Sequence, residues 1–273
     1  MISFNCSIAG DKSFLKEYKE NIQFMVTLRN VLSLNYISSF PKIDEERIAC
    51  IHVSYITRPF SEKFFEEESY QVLNMYRYLY LAKRIGFKYV LIHGPESYRE
   101  WKFMDSTLKK LKQMVEDPAY ENKVNIIIEM PSFKGDFIQE LTKEGNCKGI
   151  DYIYYYFDKI VPFFDIVPDT AHLYANGCSV DDMINVFERY KNNIKICHLN
   201  GNKNGQFHSD AHCPIFSSKN QIKEIEKLVD YLSSTDLILI TENTSDGVSY
   251  DKWKSYAEKH NMKIIKENDR LAT

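Results

Sequence analysis

The segment Ile194–Ile215 reads IKICHLNGNKNGQFHSDAHCPI, and it joins a short apolar strand to a polar, glycine-containing loop. The apolar part, Ile194–Leu199, carries His198 near its end, and glycine then marks the point where a strand is expected to stop. The segment closes on Asp210 and His212, and side chains two positions apart share one side of an extended chain. An imidazole followed by a carboxylate–imidazole pair at the mouth of one strand is typical of a metal site.

Short apolar runs of the same kind recur along the whole chain. Most are rich in Ile and Val and lack a clean polar alternation, which is typical of parallel strands buried on both faces. The eight runs are Ile2–Cys6, Ile22–Thr27, Ile48–Val53, Tyr89–His93, Val124–Glu129, Phe164–Val167, Ile194–Leu199 and Leu237–Thr241.

Segments of helical period lie between most of these runs, and one follows the last. The clear ones are Ser61–Ile85, Ser106–Glu116, Val180–Lys191, Ser218–Leu232 and Ser249–His260. We expect Ser106 and Ser179 to be N-caps and Gly86 to be a C-cap. Strand alternating with helix over about 250 residues predicts an α/β fold, a (β/α)8 TIM barrel. We expect one domain over residues 1–273, and an open doubly wound sheet is the alternative.

Composition limits the classes of function. The chain has 273 residues, 44% hydrophobic and 27% charged, which permits a large core. A net charge of −3 does not indicate a nucleic-acid binder by charge alone, although a local basic groove or bound metal ions would be compatible with one. No apolar run approaches the roughly 18 residues of a membrane span, so we expect no membrane partner. The six cysteines lack paired short spacings, which favours reduced thiols in the cytoplasm or nucleus.

Acids and imidazoles cluster at the carboxyl ends of the predicted strands. In a TIM barrel these ends converge on one face, where barrel enzymes have their active sites. Five of the seven histidines and four acids fall there or just beyond. They are His52, His93, Glu129, Asp169, His172, His198, Asp210, His212 and Glu242.

Each of these residues alone has an ordinary interpretation, such as a rim hydrogen bond, a helix cap or a pair with a lysine. As a set they need a strong positive partner, because an acid that ends a buried apolar strand is costly unless it is paired or metal-bound. Nine ligands are too many for one tetrahedral zinc ion. Shared among three ions, they would leave open positions for water and substrate, an arrangement that suits hydrolysis of a phosphate ester.

These residues resemble the endonuclease IV family of abasic-site (AP) endonucleases. The matching segments occur in the family's order between residues 52 and 243. They are HVSY at His52–Tyr55, IHGPES around His93, IIIEMP around Glu129, PDTAH at Pro168–His172, HLN at His198–Asn200, DAH at Asp210–His212 and ITEN around Glu242.

The resemblance implies three Zn²⁺ ions and hydrolysis of the phosphodiester 5′ to abasic sites in double-stranded DNA, as in base-excision repair, leaving a 3′-hydroxyl. The ligands it implies are His52, His93 and Glu129 for the first ion, Glu129, Asp169, His198 and Glu242 for the second, and His172, Asp210 and His212 for the third. Glu129 would bridge two ions, and Glu242 would help to orient the nucleophile, so both are catalytic candidates. Mn²⁺ or Fe²⁺ would also suit such nitrogen and oxygen ligands. A monomer is expected, with Tyr55 at the position that wedges into DNA.

Several positions depart from the family. The family's phosphate-contacting Arg is Ala211, and the Asp expected after HLN is Gly201. Arg29–Asn30 matches only part of the loop that inserts into DNA in the family. These departures predict either weaker DNA binding or replacement of the missing positive charge by Lys203, with His208 and Arg58 as further candidates.

Two other functions fit parts of the pattern. Sugar isomerases and epimerases of the same superfold hold one divalent ion with a set that Glu129, Asp169, His198 and Glu242 would satisfy. That chemistry has no need of His52, His93, Asp210 or His212 as ligands. A non-catalytic DNA-binding relative could keep zinc for stability, but structural zinc sites are normally closed by four protein ligands.

Overall fold

The structure, a computed structural model, describes residues 23–26, 50–54, 57–66, 69–118, 124–208, 211–215 and 222–242, together with residues 255 and 259. The strands are β1 (Gln23–Val26), β2 (Cys50–Val53), β3 (Tyr89–His93), β4 (Asn125–Glu129), β5 (Asp165–Val167), β6 (Ile196–His198), β7 (Gly201–Asn202), β8 (His212–Cys213) and β9 (Ile238–Ile240). The helices are α1 (Tyr70–Ile85), α2 (Tyr98–Trp101), α3 (Met104–Glu116), α4 (Phe137–Glu144), α5 (Asp151–Ile160), α6 (Thr170–Ala175), α7 (Val180–Arg189) and α8 (Ile225–Ser233), with a 3-10 helix at Glu62–Phe65.

The parallel strands are arranged in chain order. Strands β1 to β5 form one parallel sheet, and β6 pairs in parallel with β9. Single bridges from Ile166 to Ile194 and from Asp169 to His198 join β5 to the segment that contains β6. The predicted strand Ile2–Cys6, which would stand beside β1, lies outside the described residues.

Alternate residues of these strands belong to two separate buried clusters. One cluster consists of Cys50, Leu91, Ile127, Val167, Ile196, Ile238 and Ile240. Their strand neighbours, such as Val90 and Ile92, belong to the larger cluster that includes the helical residue Leu79. Because successive strand residues point to opposite faces, the first cluster fills the interior enclosed by the strands and the second fills the layer beneath the helices. This two-layer core is that of a TIM barrel, so the predicted (β/α)8 fold class is confirmed.

The predicted element ends are partly right. Ser179 caps α7 in a capping box with Asp182, and Gly86 ends α1 with a φ of 95°, as predicted. The prediction of Ser106 as an N-cap is wrong: α3 begins at Met104, and Ser106 Oγ donates to the carbonyl of Phe103 at 3.0 Å.

Other helix boundaries also differ from the prediction. The predicted helix Ser61–Ile85 is divided, because a 3-10 helix comes first and Ser69 then caps α1. The helix predicted to begin at Ser218 is described from Ile225, where α8 begins, and Ser218 itself lies outside the described residues. The predicted last helix lies outside the described residues except for Ser255 and Lys259, which are helical. None of the helices in the described ranges is long and apolar enough to span a membrane.

Candidate metal centre

The strand alternation that builds the barrel interior also places the site residues. His93 is two residues beyond Leu91, Glu129 two beyond Ile127, and His198 two beyond Ile196. Each therefore shares the inward face of its strand with a residue of the interior cluster. In the β3–β4 pairing, His93 stands opposite Glu129. The strands thus converge with polar side chains at one mouth of an otherwise apolar interior.

A first group of ligand atoms lies across β2, β3 and β4. Glu129 Oε2 is 3.2 Å from His93 Nε2 and 3.4 Å from His52 Nε2. The two imidazole Nε2 atoms are 3.2 Å apart. These three residues offer ligand atoms that all lie close enough together to hold one metal ion.

A second group surrounds His198 at the end of β6. His198 Nδ1 is 3.1 Å from Glu129 Oε1 and 3.6 Å from Asp169 Oδ2. These three residues form another set that could hold a metal ion. Glu242 is slightly farther away, with Oε1 3.8 Å from His198 Nδ1.

A third group joins β8 to the start of α6. His212 Nε2 is 3.2 Å from His172 Nε2 and 3.7 Å from Asp169 Oδ2. Asp169, His172 and His212 together could hold a metal ion. Asp210, which the sequence pattern assigned to this group, lies outside the described residues. Within the described part of the chain, Asp169 belongs to both the second and the third groups.

Backbone hydrogen bonds orient several of these ligands. His52 Nδ1 is 3.0 Å from the carbonyl oxygen of Val53, and His172 Nδ1 is 2.8 Å from that of Met130. Because a carbonyl can only accept, each Nδ1 carries the proton and Nε2 is turned towards the site. Asp169 Oδ1 accepts from the backbone of α6, which directs Oδ2 to the imidazoles.

Two residues with buried side-chain amides, Asn200 and Gln23, also contact the ligand groups. The sequence analysis did not identify either of them as a site residue. Asn200 donates from Nδ2 to Asp169 Oδ2 at 2.7 Å and to Glu242 Oε2 at 3.3 Å, and its Oδ1 accepts from the backbone of Glu242. Gln23 contacts both His198 and Glu242. In the sequence, Asn200 could have been identified from the HLN motif. Gln23 could have been identified as the polar residue inside an apolar run.

The electrostatics of Glu129 fit a bound cation. Its side chain is 1% exposed, and neither carboxylate oxygen makes a well-formed hydrogen bond with any described residue. Burial would raise the pKa of Glu129, but the imidazoles of His198 and His93 outweigh it and hold that pKa well below the usual value. His198 Nδ1 is likewise buried and makes no well-formed hydrogen bond with a described residue. A buried, ionised carboxylate among imidazole nitrogens is the environment that a divalent metal ion would satisfy.

The site opens on one side. Glu129, Asp169 and His198 form a fully buried floor, whereas the side chains of His93 and His212 are 14% and 19% exposed. A cavity of about 220 Å³ adjoins the open side at His93, and Arg58, Glu96 and Lys134 contribute to its lining. Lys134 pairs with Glu96 there. A ligand would therefore approach the metal centre from the His93 and His212 side.

The predicted DNA contacts lie partly in the described structure. Lys203 is exposed on the loop of the β7–β8 hairpin, and its backbone N–H donates to the carbonyl of Ala211 at 3.0 Å. His208 on the same loop is exposed, as is Arg58. Tyr55 and Arg29–Asn30 lie outside the described residues.

No protein-family model and no curated protein matches the chain. Solved structures do match, over 94% of this chain in three examples. Endonuclease IV from Thermus thermophilus is 16% identical with a TM-score of 0.67, over 99% of its own chain. A D-tagatose 3-epimerase-like protein is 18% identical with a TM-score of 0.62, over 98% of its chain. A xylose isomerase domain protein from Planctomyces limnophilus is 10% identical with a TM-score of 0.56, over 97% of its chain.

The chain shares its TIM-barrel fold with these three proteins. At these identities the likeness concerns the fold, and the three proteins carry names of different activities. The choice among activities for this barrel therefore depends on its own site residues.

Proposed function

We propose that this protein is a metal-dependent phosphodiester hydrolase that incises DNA 5′ to abasic sites and leaves a 3′-hydroxyl. The observation that carries the proposal is the presence of three overlapping ligand groups, which share Glu129 and Asp169. A single-metal isomerase would use one such group and would leave His52 and His93 without a role as ligands. The fold shared with endonuclease IV from Thermus thermophilus is compatible with this proposal.

The residues fit three Zn²⁺ ions, with Mn²⁺ or Fe²⁺ as substitutes at such nitrogen and oxygen sites. His52, His93 and Glu129 would hold the first ion, Glu129, Asp169, His198 and Glu242 the second, and His172, His212 and Asp210 or Asp169 the third. Bound divalent ions would neutralise charge on the phosphodiester and activate water for attack near neutral pH.

Glu242 is suited to orienting the attacking water. Its side chain is 14% exposed, at the edge between the buried floor and the open side. Burial would raise the pKa of Glu242, but the imidazole of His198 and a hydrogen bond from His212 outweigh it and lower that pKa. Glu242 is therefore a carboxylate at neutral pH and acts as a hydrogen-bond acceptor, held in place by Gln23 and Asn200.

The hairpin loop offers a surface for DNA. Phe207 is 66% exposed and has a left-handed φ of 61°, an uncommon conformation for a bulky residue. Its backbone N–H donates to the carbonyl of Ala175 at 2.7 Å, and Gln206 Nε2 donates to that of Gly177 at 3.0 Å. Lys203 on the same loop adds a positive charge. An exposed aromatic ring on a loop that also carries a lysine suits contact with an unstacked base and a phosphate.

The decisive test is cleavage of a duplex that contains one tetrahydrofuran abasic site, with an intact duplex as control. This analogue cannot undergo β-elimination, so a cut requires hydrolysis. We expect a single cut that leaves a 3′-hydroxyl, that disappears after prolonged chelation and returns with Zn²⁺. Glu242→Gln provides the matched inactive variant.

Two other outcomes would each favour a different function. Absence of cleavage by folded protein loaded with about three metals per chain would favour a non-catalytic DNA-binding protein. Absence of cleavage with one metal per chain would favour a sugar isomerase or epimerase, to be assayed on sugar phosphates. Glu129, Asp169, His198 and Glu242 would then be the ligand set.

A further inference from the structure

Gln23 on β1 links two members of the metal centre that belong to distant parts of the chain. Its side chain is fully buried. Oε1 lies 2.7 Å from His198 Nε2, and Nε2 donates to Glu242 Oε1 at 2.9 Å. Cys50 Sγ, on the neighbouring strand, donates to the same Oε1 at 3.4 Å. One amide therefore contacts β6, a residue just beyond β9, and β2.

The partners of Gln23 allow only one orientation of its amide. The carboxylate of Glu242 can only accept, so it must face the amide nitrogen. The amide oxygen is then directed at His198 and Cys50, and both must donate to it. His198 accordingly carries a proton on Nε2.

This arrangement decides which nitrogen of His198 faces the other ligands. With Nε2 committed to Gln23, only Nδ1 remains for the site, and it lies 3.1 Å from Glu129 Oε1. His52 and His172 have the opposite arrangement, since their Nδ1 atoms bond to backbone carbonyls. The side chain of Gln23 therefore orients His198, whereas backbone carbonyls orient His52 and His172.

We infer that Gln23 is a positioning residue, which commits His198 to metal binding through Nδ1 and holds Glu242 at the edge of the site. The inference rests on the metal-binding part of the proposed function and is independent of DNA incision. Glu242 fixes the amide, and the amide fixes the tautomer of His198. Partners of this kind typically change metal affinity by about 10–100-fold when they are removed.

The test uses two variants and two readouts besides activity. Gln23→Met keeps the length of the side chain and removes both hydrogen-bonding functions. Gln23→Glu keeps an acceptor for His198 and removes the donor to Glu242. Asn74→Leu serves as control, since it removes a buried amide of α1 outside the site. Circular dichroism establishes that each variant is folded.

The first readout is the imidazole ¹⁵N–¹H spectrum of His198, recorded with and without Zn²⁺. We expect a slowly exchanging proton on Nε2 in the wild type in both states and in Gln23→Glu, and its loss in Gln23→Met. A wild-type His198 without a proton on Nε2 would overturn the inference, whether or not the protein cleaves DNA.

The second readout is Zn²⁺ affinity from chelator competition. We expect Gln23→Met to bind at least one Zn²⁺ about 10–100-fold more weakly than the wild type, with Asn74→Leu unchanged. Equal affinity in Gln23→Met and the wild type would also overturn the inference. If Gln23→Met does not fold, Gln23→Glu carries the test, because losing the donor to Glu242 must lower Zn²⁺ affinity while the Nε2 proton persists.

Discussion

Glu129 is the residue on which the ligand groups converge. Its two oxygens lie within 3.4 Å of imidazole nitrogens from His52, His93, His172 and His198. We expect Glu129→Gln to lose bound metal and to cut the abasic duplex at least about 100-fold more slowly, since even partners outside the ligand shell change affinity or activity by about 10–100-fold. Metal content by mass spectrometry and single-turnover cleavage check this. Wild-type rates in the folded variant would show that the ligand assignment is wrong.

Phe207 provides a separate prediction for DNA binding. Stacking on a base contributes about 1–3 kcal/mol, so Phe207→Ala should weaken binding of the abasic duplex by about 5–150-fold. Metal content should not change, because Phe207 is not a ligand. Phe207→Trp should retain the affinity, and fluorescence anisotropy at fixed salt measures all three proteins. An unchanged dissociation constant in Phe207→Ala would remove this residue from the DNA surface.

Single residues differ in how far the sequence could predict them. His93 and Glu129 were predictable because strand alternation carries the inward face of an apolar run to its last residue. The role of Gln23 was not predictable, because its partners His198 and Glu242 are 175 and 219 positions away. A single polar residue in an apolar strand gives no indication of which residues it will meet.

At the scale of elements, β3 lies between two glycines with different requirements. Gly86 at its amino end has a φ of 95°, and Gly94 follows His93 at its carboxyl end. An alanine at Gly94 would collide with the hydroxyl of the buried Tyr156 and would place Cβ 3.2 Å from Ile128 Cγ2. Substitutions at these two glycines can therefore distinguish an effect on stability alone from an effect on both stability and cleavage.

We expect Gly86→Ala to cost about 1–2 kcal/mol of unfolding free energy, because a Cβ is disfavoured in the left-handed region, without changing metal content or cleavage. Gly94→Ala should cost about 1–3 kcal/mol through overpacking and should also impair cleavage, because the loop beside His93 must move. Urea unfolding and the cleavage assay distinguish the two. Equal cleavage by both variants would contradict this division.

Element boundaries were predictable where local signals were strong. The strand Tyr89–His93 matches the structure at both ends, since a compact apolar run is followed by Gly94–Pro95. Ser106 misled the prediction because a serine within the first turn can donate back to a carbonyl instead of capping. Helices α4 and α5 were not singled out, because Asn146 and Gly149 divide that region into two short pieces.

At the scale of the whole molecule, the fold class followed from the alternation of strands and helices, whereas the grouping of ligands did not. The contact of Asp169 with both His198 and His212 arises where the segment after β5, the end of β6 and the β7–β8 hairpin meet. The resemblance to the endonuclease IV family placed Asp169 with the second ion only.

The charges of the site predict how the stability of metal-free protein depends on pH. Burial would lower the pKa of His198, but the carboxylates of Glu129 and Glu242 outweigh it and raise that pKa well above 6.5. A raised folded-state pKa contributes stability that is present below the unfolded value and is lost as pH rises through the folded value. The pKa of Glu129 is depressed in the folded state, so its contribution to stability is present above the unfolded-state value of about 4.5. That contribution is lost as pH falls below this value.

We therefore expect chelated protein to be most stable between about pH 5 and 7 and to lose stability at alkaline pH. Binding of Zn²⁺ releases the proton from His198, so the metal-loaded protein should keep its stability there. Urea unfolding from about pH 5 to 9, with chelator and with Zn²⁺, measures both curves. A chelated protein whose stability increases steadily across that range would contradict the assigned charge state of His198.

The β7–β8 hairpin has a thermodynamic consequence, because its loop carries Phe207 and Lys203 while β8 carries His212. Under the proposed function, one two-stranded element contacts both the DNA and a metal ion. Linkage is reciprocal, so a duplex that orders the loop and thereby strengthens metal binding at His212 must itself bind more tightly, by the same factor, when that metal is present. Zinc content and duplex affinity would then form one coupled equilibrium, and each would have to be measured with the other held fixed.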